Sequence, residues 1–505
     1  MSPTSSESPP DAAQNGDRGD SLTTGAAPAS ATARVAATSQ RLRSQQARRR
    51  FERTFWILAG SLAAFSAVFL LLGSLQGPKL SSAVVDPQRV TEQAGVQLRL
   101  FANQPLAEVS ADQVTVTPAA SISVAVQGDL LIVQFEQRLR YSTEYVVEVR
   151  DVGATSRDAT ADFEHRFTTA PGSVLYLDRD DAGDEILRAP LLGAGRGEVV
   201  VAAEGIQHFV PVEGVFVLAR DDGEGGSVLE SVQPGPGGAV EQLRLPDGVR
   251  VQQLIAPPLG TLVAVVLSSV PGEGPEQGIP EFSNTLAVID LAGDRSVTPV
   301  LGLDGAPVSV VMAEFLPDGA TLIAHALDQS VLRIDLSGSG LVLPIDQVQT
   351  VFGLSTDAQK LTGADAFGVI YLDLESGAEV RLDPSLFEGD LAFGGEAIFT
   401  AGDLWVQKVA IPDATGGAFR TLLVADDGSG ASRLLLSTVD DRGSIGGFSV
   451  SPNDQFVAVE VTPSVADAVP DGRRVNGRPT SITTVIVDIE SGAIVRTLEG
   501  FGAIW

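Results

Sequence analysis

The sequence predicts a mainly β protein: a single N-terminal transmembrane helix, then a small β-sandwich, then a β-propeller of seven blades. Three observations predict this. Residues 54–75 form an apolar run without a charge. From Val84 onward, apolar and polar residues alternate with period two in short runs. From about residue 172, a strand–turn–strand pattern recurs at roughly 40–50 residues, the size of a propeller blade.

The apolar run comes first because it divides the chain. TFWILAGSLAAFSAVFLLLGSL (Thr54–Leu75) has 22 residues. About 20 helical residues, rising about 1.5 Å each, span the ~30 Å hydrocarbon core of a bilayer. RLRSQQARRRFER precedes it, whereas QGPKL, with only Lys79, follows. Arginine on one flank predicts a cytoplasmic N-terminus and an extracytoplasmic body. A cleaved signal peptide is the rival, with small residues at Ser81-Ser82-Ala83. The long N-terminal region and full-length apolar run favour a retained single-pass anchor instead.

Residues 1–53 are rich in Ser, Thr, Pro, Ala and Gly, lack apolar periodicity and predict a disordered cytoplasmic tail. Residues 76–83 read as a linker.

Composition narrows the function classes. The 505 residues carry a net charge of −30, with 44% hydrophobic content, enough for packed cores in two or three domains. The first 53 residues hold eight Arg and five Asp or Glu, a local +3, leaving 26 basic and 59 acidic residues, or −33, on the rest. Such a body repels nucleic acid and anionic headgroups. The absence of cysteine excludes disulfides, a thiolate nucleophile and Cys-ligated zinc, so any exported domain rests on its apolar core.

In the span 84–170, Val96–Phe101, Val114–Pro118, Ser121–Val126, Leu130–Phe135, Tyr145–Val149 and Phe163–Thr169 read as strands. Asn103-Gln104-Pro105, Gln127-Gly128-Asp129 and Val152-Gly153 supply turns. This suits a two-sheet sandwich. The stretches QLRLFANQPLAEVSADQVTVTP, LRYSTEYVVEV and FEHRFTTAP resemble the bacterial Ig-like domain of S-layer and surface proteins, the SbsA type. Leu139, Thr143, Tyr145, Val147 and Val149 fall on its middle strand, and Phe167 and Thr169 on its last. The resemblance implies a spacer or adhesive module with no active site.

The span 172–505 carries two alternating elements. One is a strand, a Pro/Asp/Gly turn and a strand, as in AEFLPDGATLIAHA, FGLSTDAQKLTGA and FSVSPNDQFVAVE. The other is a strand ending in an acidic turn, as in VLRIDLSGSG, VIYLDLESGAEV and TVIVDIESGAIV. They resemble bacterial TolB-type and WD-like β-propellers. Blades are expected near 206–245, 251–302, 308–345, 348–383, 386–436 and 445–498. The strands at 174–203 and the terminal FGAIW make a seventh, closed by both ends of this span, which predicts Trp505 buried beside residues 174–190.

No catalytic, cofactor or metal site is expected. Asp178, Asp180, Asp181, Asp184 and Glu185 read as a solvated hairpin turn, because the twelfth position of a calcium loop counted from Asp178 is Ala189. His165, His208 and His325 form no spaced pair. Two long loops, 271–284 and 461–481, interrupt blades, and the second holds Arg473, Arg474 and Arg478 as a candidate binding loop. The expected function is a non-enzymatic surface binding or scaffold protein. The bilayer would be met through 54–75 and a protein, peptide or glycan through the propeller. The alternatives are an extracellular hydrolase or lyase acting on glycan, and a structural envelope component.

Overall fold

The computed structural model describes residues 53–69, 77–180, 183–270, 281–338, 340–387, 390–412, 419–430, 432–439 and 442–505. It divides into two compact units, Met1–Gln76 and Gly77–Trp505. In the first, residues 53–69 are helical and expose Phe55, Trp56, Ile57, Leu62, Phe65 and Phe69. The expected tail and the end of the expected span, 70–75, lie outside the described residues. No helix among the described residues is long and apolar enough to cross a membrane.

The second unit begins with two antiparallel sheets. One orders Leu80–Val84, Gln97–Ala102, Leu130–Phe135 and Ile122–Gln127; the other orders Val114–Thr117, Glu144–Ala154 and Arg157–Thr168. Period-two alternation turns Leu98, Leu100, Leu131, Val133, Tyr145, Val147 and Val149 into one shared core. Each such side chain contributes about 1.5–3 kcal/mol on burial. The edge strand Leu80–Val84 escapes the sequence pattern, because LSSAV buries none of its residues fully.

Seven four-stranded antiparallel sheets then follow one another and make a β-propeller. Blade one is Ser173–Asp180, Gly183–Pro190 and Glu198–Ala203, completed by Phe501–Ile504 pairing with Ser173–Asp180. Blades two to seven span 206–243, 249–299, 310–347, 350–381, 393–437 and 444–499. A small hairpin, Leu386–Phe387 with Asp390–Leu391, precedes blade six. Trp505 is half-buried rather than buried. It packs on the cluster of Val174, Tyr176 and Leu187, but its indole N–H donates to Ser449 Oγ at 3.0 Å, which holds the ring at the surface of the cluster.

The turns closing the third strands of blades four, five and seven share one chemistry. Asp335, Asp373 and Asp488 each accept the backbone N–H and hydroxyl of the following Ser337, Ser376 or Ser491. Gly377 and Gly492 occupy the left-handed position that follows, at φ 71° and 69°. Part of the acidic charge of the body is therefore turn-capping charge.

The first strands of blades two to six touch in succession around the axis. All seven first strands break register by one residue. A bulge leaves a backbone group outside the ladder, and a buried one must find another partner. Neighbouring elements supply it. Gln253 Nε2 donates to Val311 O at 2.7 Å, Lys408 Nζ to Gly446 O at 3.2 Å, and Gly502 N donates to Glu460 Oε1 at 3.0 Å. Asn476 Nδ2 donates to Gln207 O at 2.8 Å.

The sandwich joins the face formed by turns between first and second strands. Arg138 Nη1 donates to Thr356 O at 3.2 Å and Pro452 O at 3.0 Å. Asn453 Nδ2 donates to Leu139 O at 3.1 Å, and Tyr141 N donates to Gln455 Oε1 at 2.8 Å. The Tyr141 ring stacks on Phe456 with centroids 6.4 Å apart. Arg140 pairs with Glu490 at 2.5 Å. A joint of this kind couples two cores into one melting unit. Calorimetry of the wild type should show one transition for sandwich and propeller. Arg138→Ala with Tyr141→Ala should split it into two, since hydrogen bonds from a charged donor are worth about 1.5–3 kcal/mol. A single unshifted transition in the double variant would show that these contacts do not couple the domains.

Candidate functional site

Turns between second and third strands lie at the opposite end of the strands from the sandwich joint. The 463–482 loop sits there, between the blade-seven strands Phe456–Thr462 and Thr483–Asp488. It does not stand free. It runs as a strap over blades one and two.

Asp471 organises the strap. Its Oδ2 accepts from Arg179 Nη1 at 2.8 Å and from Arg478 N at 3.1 Å, while Oδ1 accepts from Arg473 N at 3.0 Å. Arg179, from the second strand of blade one, also donates to Asn476 O at 2.8 Å. The Arg179 and Arg478 guanidiniums lie 4.8 Å and 5.3 Å from the centroid of the Phe501 ring. The last strand of the chain is thus gripped by the strap that covers it. Val475 is buried beneath.

The three arginines of the candidate binding loop separate in their roles. Arg473 Nη2 reaches Asp184 Oδ1 at 3.1 Å and Oδ2 at 3.3 Å. Arg478 Nε lies 3.4 Å from Glu460 Oε2. Only Arg474 of the three is exposed, beside the Gly225 turn of blade two. The structure brings Arg473 and Arg478 onto internal carboxylates, so they do not form one open basic patch.

The acidic cluster is also not a solvated turn throughout. The Asp184 side chain is fully buried and accepts from Ile206 N at 2.7 Å besides holding Arg473. Asp178 pairs with Arg196 at 2.7 Å, and burial pushes its carboxyl above the usual range. Asp184 thus closes blade one onto blade two, while Asp178 pairs within blade one. Asp181 lies outside the described residues.

A cleft of about 300 Å³ opens at the root of the strap, lined in part by Asp178, Arg179, Arg478, Ser481, Glu499 and Phe501. It lies over blades one and seven. Its guanidiniums are neutralised from within: Arg179 by Asp471, Arg478 by Glu460.

His208 lies under the strap. Burial, with Arg179 and Arg478 nearby, pushes its imidazole down to about 4, and its Nε2 has no hydrogen-bond partner. His325 is buried with Nε2 2.8 Å from Val348 O. His165 lies on the strand Arg157–Thr168 and stacks on Phe167. Among the described residues, no cluster of three or more His, Asp or Glu could hold a metal ion.

Sequence reasoning missed the carboxylates near the axis. Glu314 accepts from Leu354 N at 3.1 Å, and burial pushes its carboxyl up to about 7. Glu396 lies 3.6 Å from Lys408 Nζ, and burial raises it too. Glu460 serves Arg478 and Gly502. The available signal was a charge inside an apolar strand, as in VVMAEF, WVQKVAIP and FVAVEVT. Glu314 joins blade four to blade five and Glu460 joins blade seven to blade one, whereas the Glu396–Lys408 pair lies within blade six.

No protein-family model matches the sequence, and no curated protein matches it. Solved structures are similar at low identity. A quinonprotein alcohol dehydrogenase-like protein from Bacteroides thetaiotaomicron is 9% identical with a TM-score of 0.38, over 84% of this chain and 96% of that one. Dihydro-heme d1 dehydrogenase NirN, solved in complex with DHE, is 15% identical with a TM-score of 0.37, over 66% and 74%. The β-propeller domain of Cps50 (Swd1) from Myceliophteria thermophila is 11% identical with a TM-score of 0.35, over 60% and 89%. Likenesses at this level do not bear on what this chain does.

Two buried groups give opposite pH dependences. The folded state holds His208 near 4, below the roughly 6.5 of a free imidazole. The unfolded chain therefore takes the proton first, and stability falls as pH drops from about 6.5 toward 4. Urea unfolding at pH 7 and 5 should show a loss of about 2 kcal/mol that His208→Leu largely removes; an equal loss in both proteins would exclude His208. For Glu314 the folded value of about 7 lies above the free one, so its contribution falls as pH rises from about 4.5 through 7. Glu314→Gln keeps an acceptor for Leu354 N and removes the buried charge. It should gain about 1–2 kcal/mol at pH 8 and nothing at pH 4; destabilisation at pH 8 would show that the charge is needed.

Proposed function

We propose that this chain is a non-enzymatic binding or scaffold protein displayed outside a cell membrane. Residues 54–75 cross the bilayer once, residues 1–53 stay in the cytoplasm, the Ig-like sandwich is a stalk, and the propeller carries the partner. The observation that supports this most is the sandwich joint. It fixes the sandwich to one face of the propeller and leaves the opposite face, with its longer loops, clear of the sandwich. The exposed apolar side chains of the helix over 53–69 also favour lipid over water. The flanking arginines give the orientation.

Glu314 and Glu460 near the axis are engaged between blades, Glu396 is paired with Lys408, and the cleft arginines Arg179 and Arg478 are paired with Asp471 and Glu460. This supports binding over glycan cleavage, which needs an acid and a base free to act on substrate.

Because the chain has no cysteine, single cysteines report topology cleanly. A membrane-impermeant maleimide should label Glu375→Cys in intact cells and Ser5→Cys only after lysis. The reverse pattern would overturn the orientation, and labelling of neither in intact cells would place the propeller inside. Turnover of a glycan panel by the purified full chain would overturn the binding reading in favour of catalysis.

A further inference from the structure

The propeller face opposite the sandwich exposes large apolar side chains in positions where turns usually place Gly, Asn or Asp. Phe367 is 84% exposed, Val439 80%, Leu303 67%, Val469 59% and Val465 58%. All five lie in connections between second and third strands or between successive blades, so they share one end of the strands.

Phe367 is the most specific of them. It sits at the tip of the tight turn Asp365-Ala366-Phe367-Gly368 in blade five. Its backbone N–H donates to Asp365 Oδ1 at 2.7 Å. The same carboxylate takes both arms of Arg381, Nη1 to Oδ1 at 2.8 Å and Nη2 to Oδ2 at 2.6 Å. The Arg381 guanidinium lies 5.7 Å from the Phe367 ring centroid. That bidentate grip holds Asp365 down to about 2, so the Asp365–Arg381 pair stays charged across ordinary pH. Aromatic side chains and arginine are both enriched at protein–protein interfaces, and fixing the pair beforehand lowers the ordering cost of binding.

We propose that this face docks a second, different protein, with Phe367 inserted into an apolar pocket of the partner and Arg381 packed at the pocket's edge. This deepens the binding reading above and rests on it. Charge selects the occupant. Exposed Asp304, Asp328 and Asp383 lie on the same face, on a body of net charge −33. A second copy of this chain and an anionic lipid surface are both repelled, whereas a partner with a basic rim around its pocket is attracted.

The test uses the full chain in its own cells, with p-benzoylphenylalanine placed at position 367, at position 474 on the strap, or at position 259, where an exposed Leu259 lies at the other end of the strands. Position 367 should yield one discrete adduct with a different protein, and position 259 none. Binding of that protein to the purified full chain should then weaken at least tenfold in Phe367→Ala and in Arg381→Ala. It should weaken again between 50 mM and 500 mM salt, and be unchanged in Leu259→Ala. Unchanged melting temperatures would show that the variants fold. An adduct of twice the chain's mass, an adduct with lipid alone, or equal binding by Phe367→Ala overturns the proposal. A protein adduct at 474 or 259 but not at 367 overturns it while leaving the binding reading intact. No adduct from any of the three positions removes the binding reading itself.

Discussion

The propeller depends on how its innermost strands are finished. Seven sheets converge on one axis, and every first strand takes a bulge there. A bulge tightens the twist and frees the strand to bend, but it strands a peptide group. An unpaired buried peptide group costs about 1–3 kcal/mol. In this chain several of the freed groups are claimed by a side chain of another blade: Gly446 O by Lys408 and Gly502 N by Glu460 where they are half-buried, and Val311 O by Gln253 at the surface. The same contact that cancels the penalty locks two blades together. Charged residues otherwise out of place in apolar strands follow from that need.

The seam between blades seven, one and two has the same problem in a sharper form, because blade one is assembled from distant parts of the chain. No blade-one side chain reaches Gln207 O. The strap does, through Asn476. With Asp471, Arg473 and Arg478, the strap also ties together Arg179, Asp184 and Glu460, residues from blades one and seven. A loop that reads as a binding excursion in sequence is in large part a clasp.

Periodicity made the blades legible. The paired strands and the Asp-x-x-Ser-Gly turns around Asp373 and Asp488 are local features, and local features survive in sequence. That FGAIW completes blade one was also legible, since that blade lacked a strand and one strand was left over; its innermost position came from the structure. What stayed hidden depends on tertiary proximity. Asp184 looks like any turn aspartate until Ile206 N and Arg473 arrive from blades two and seven. Arg473 and Arg478 look like free charge until Asp184 and Glu460 are placed opposite. The exposure of Phe367 was hidden for the same reason: an aromatic beside a turn reads equally well as core.

The terminal strand sets the order of events during synthesis. Blade one keeps an open inner edge until Phe501–Ile504 are made, and the clasp that grips Phe501 is itself built from residues beyond 460. The ring therefore cannot shut before residues 501–504 have been made. Six nearly complete blades must wait beside an unpaired edge that invites pairing with another chain. A nonsense codon just before residue 501 would release a molecule with most of its sheets intact and that sticky edge permanently bare.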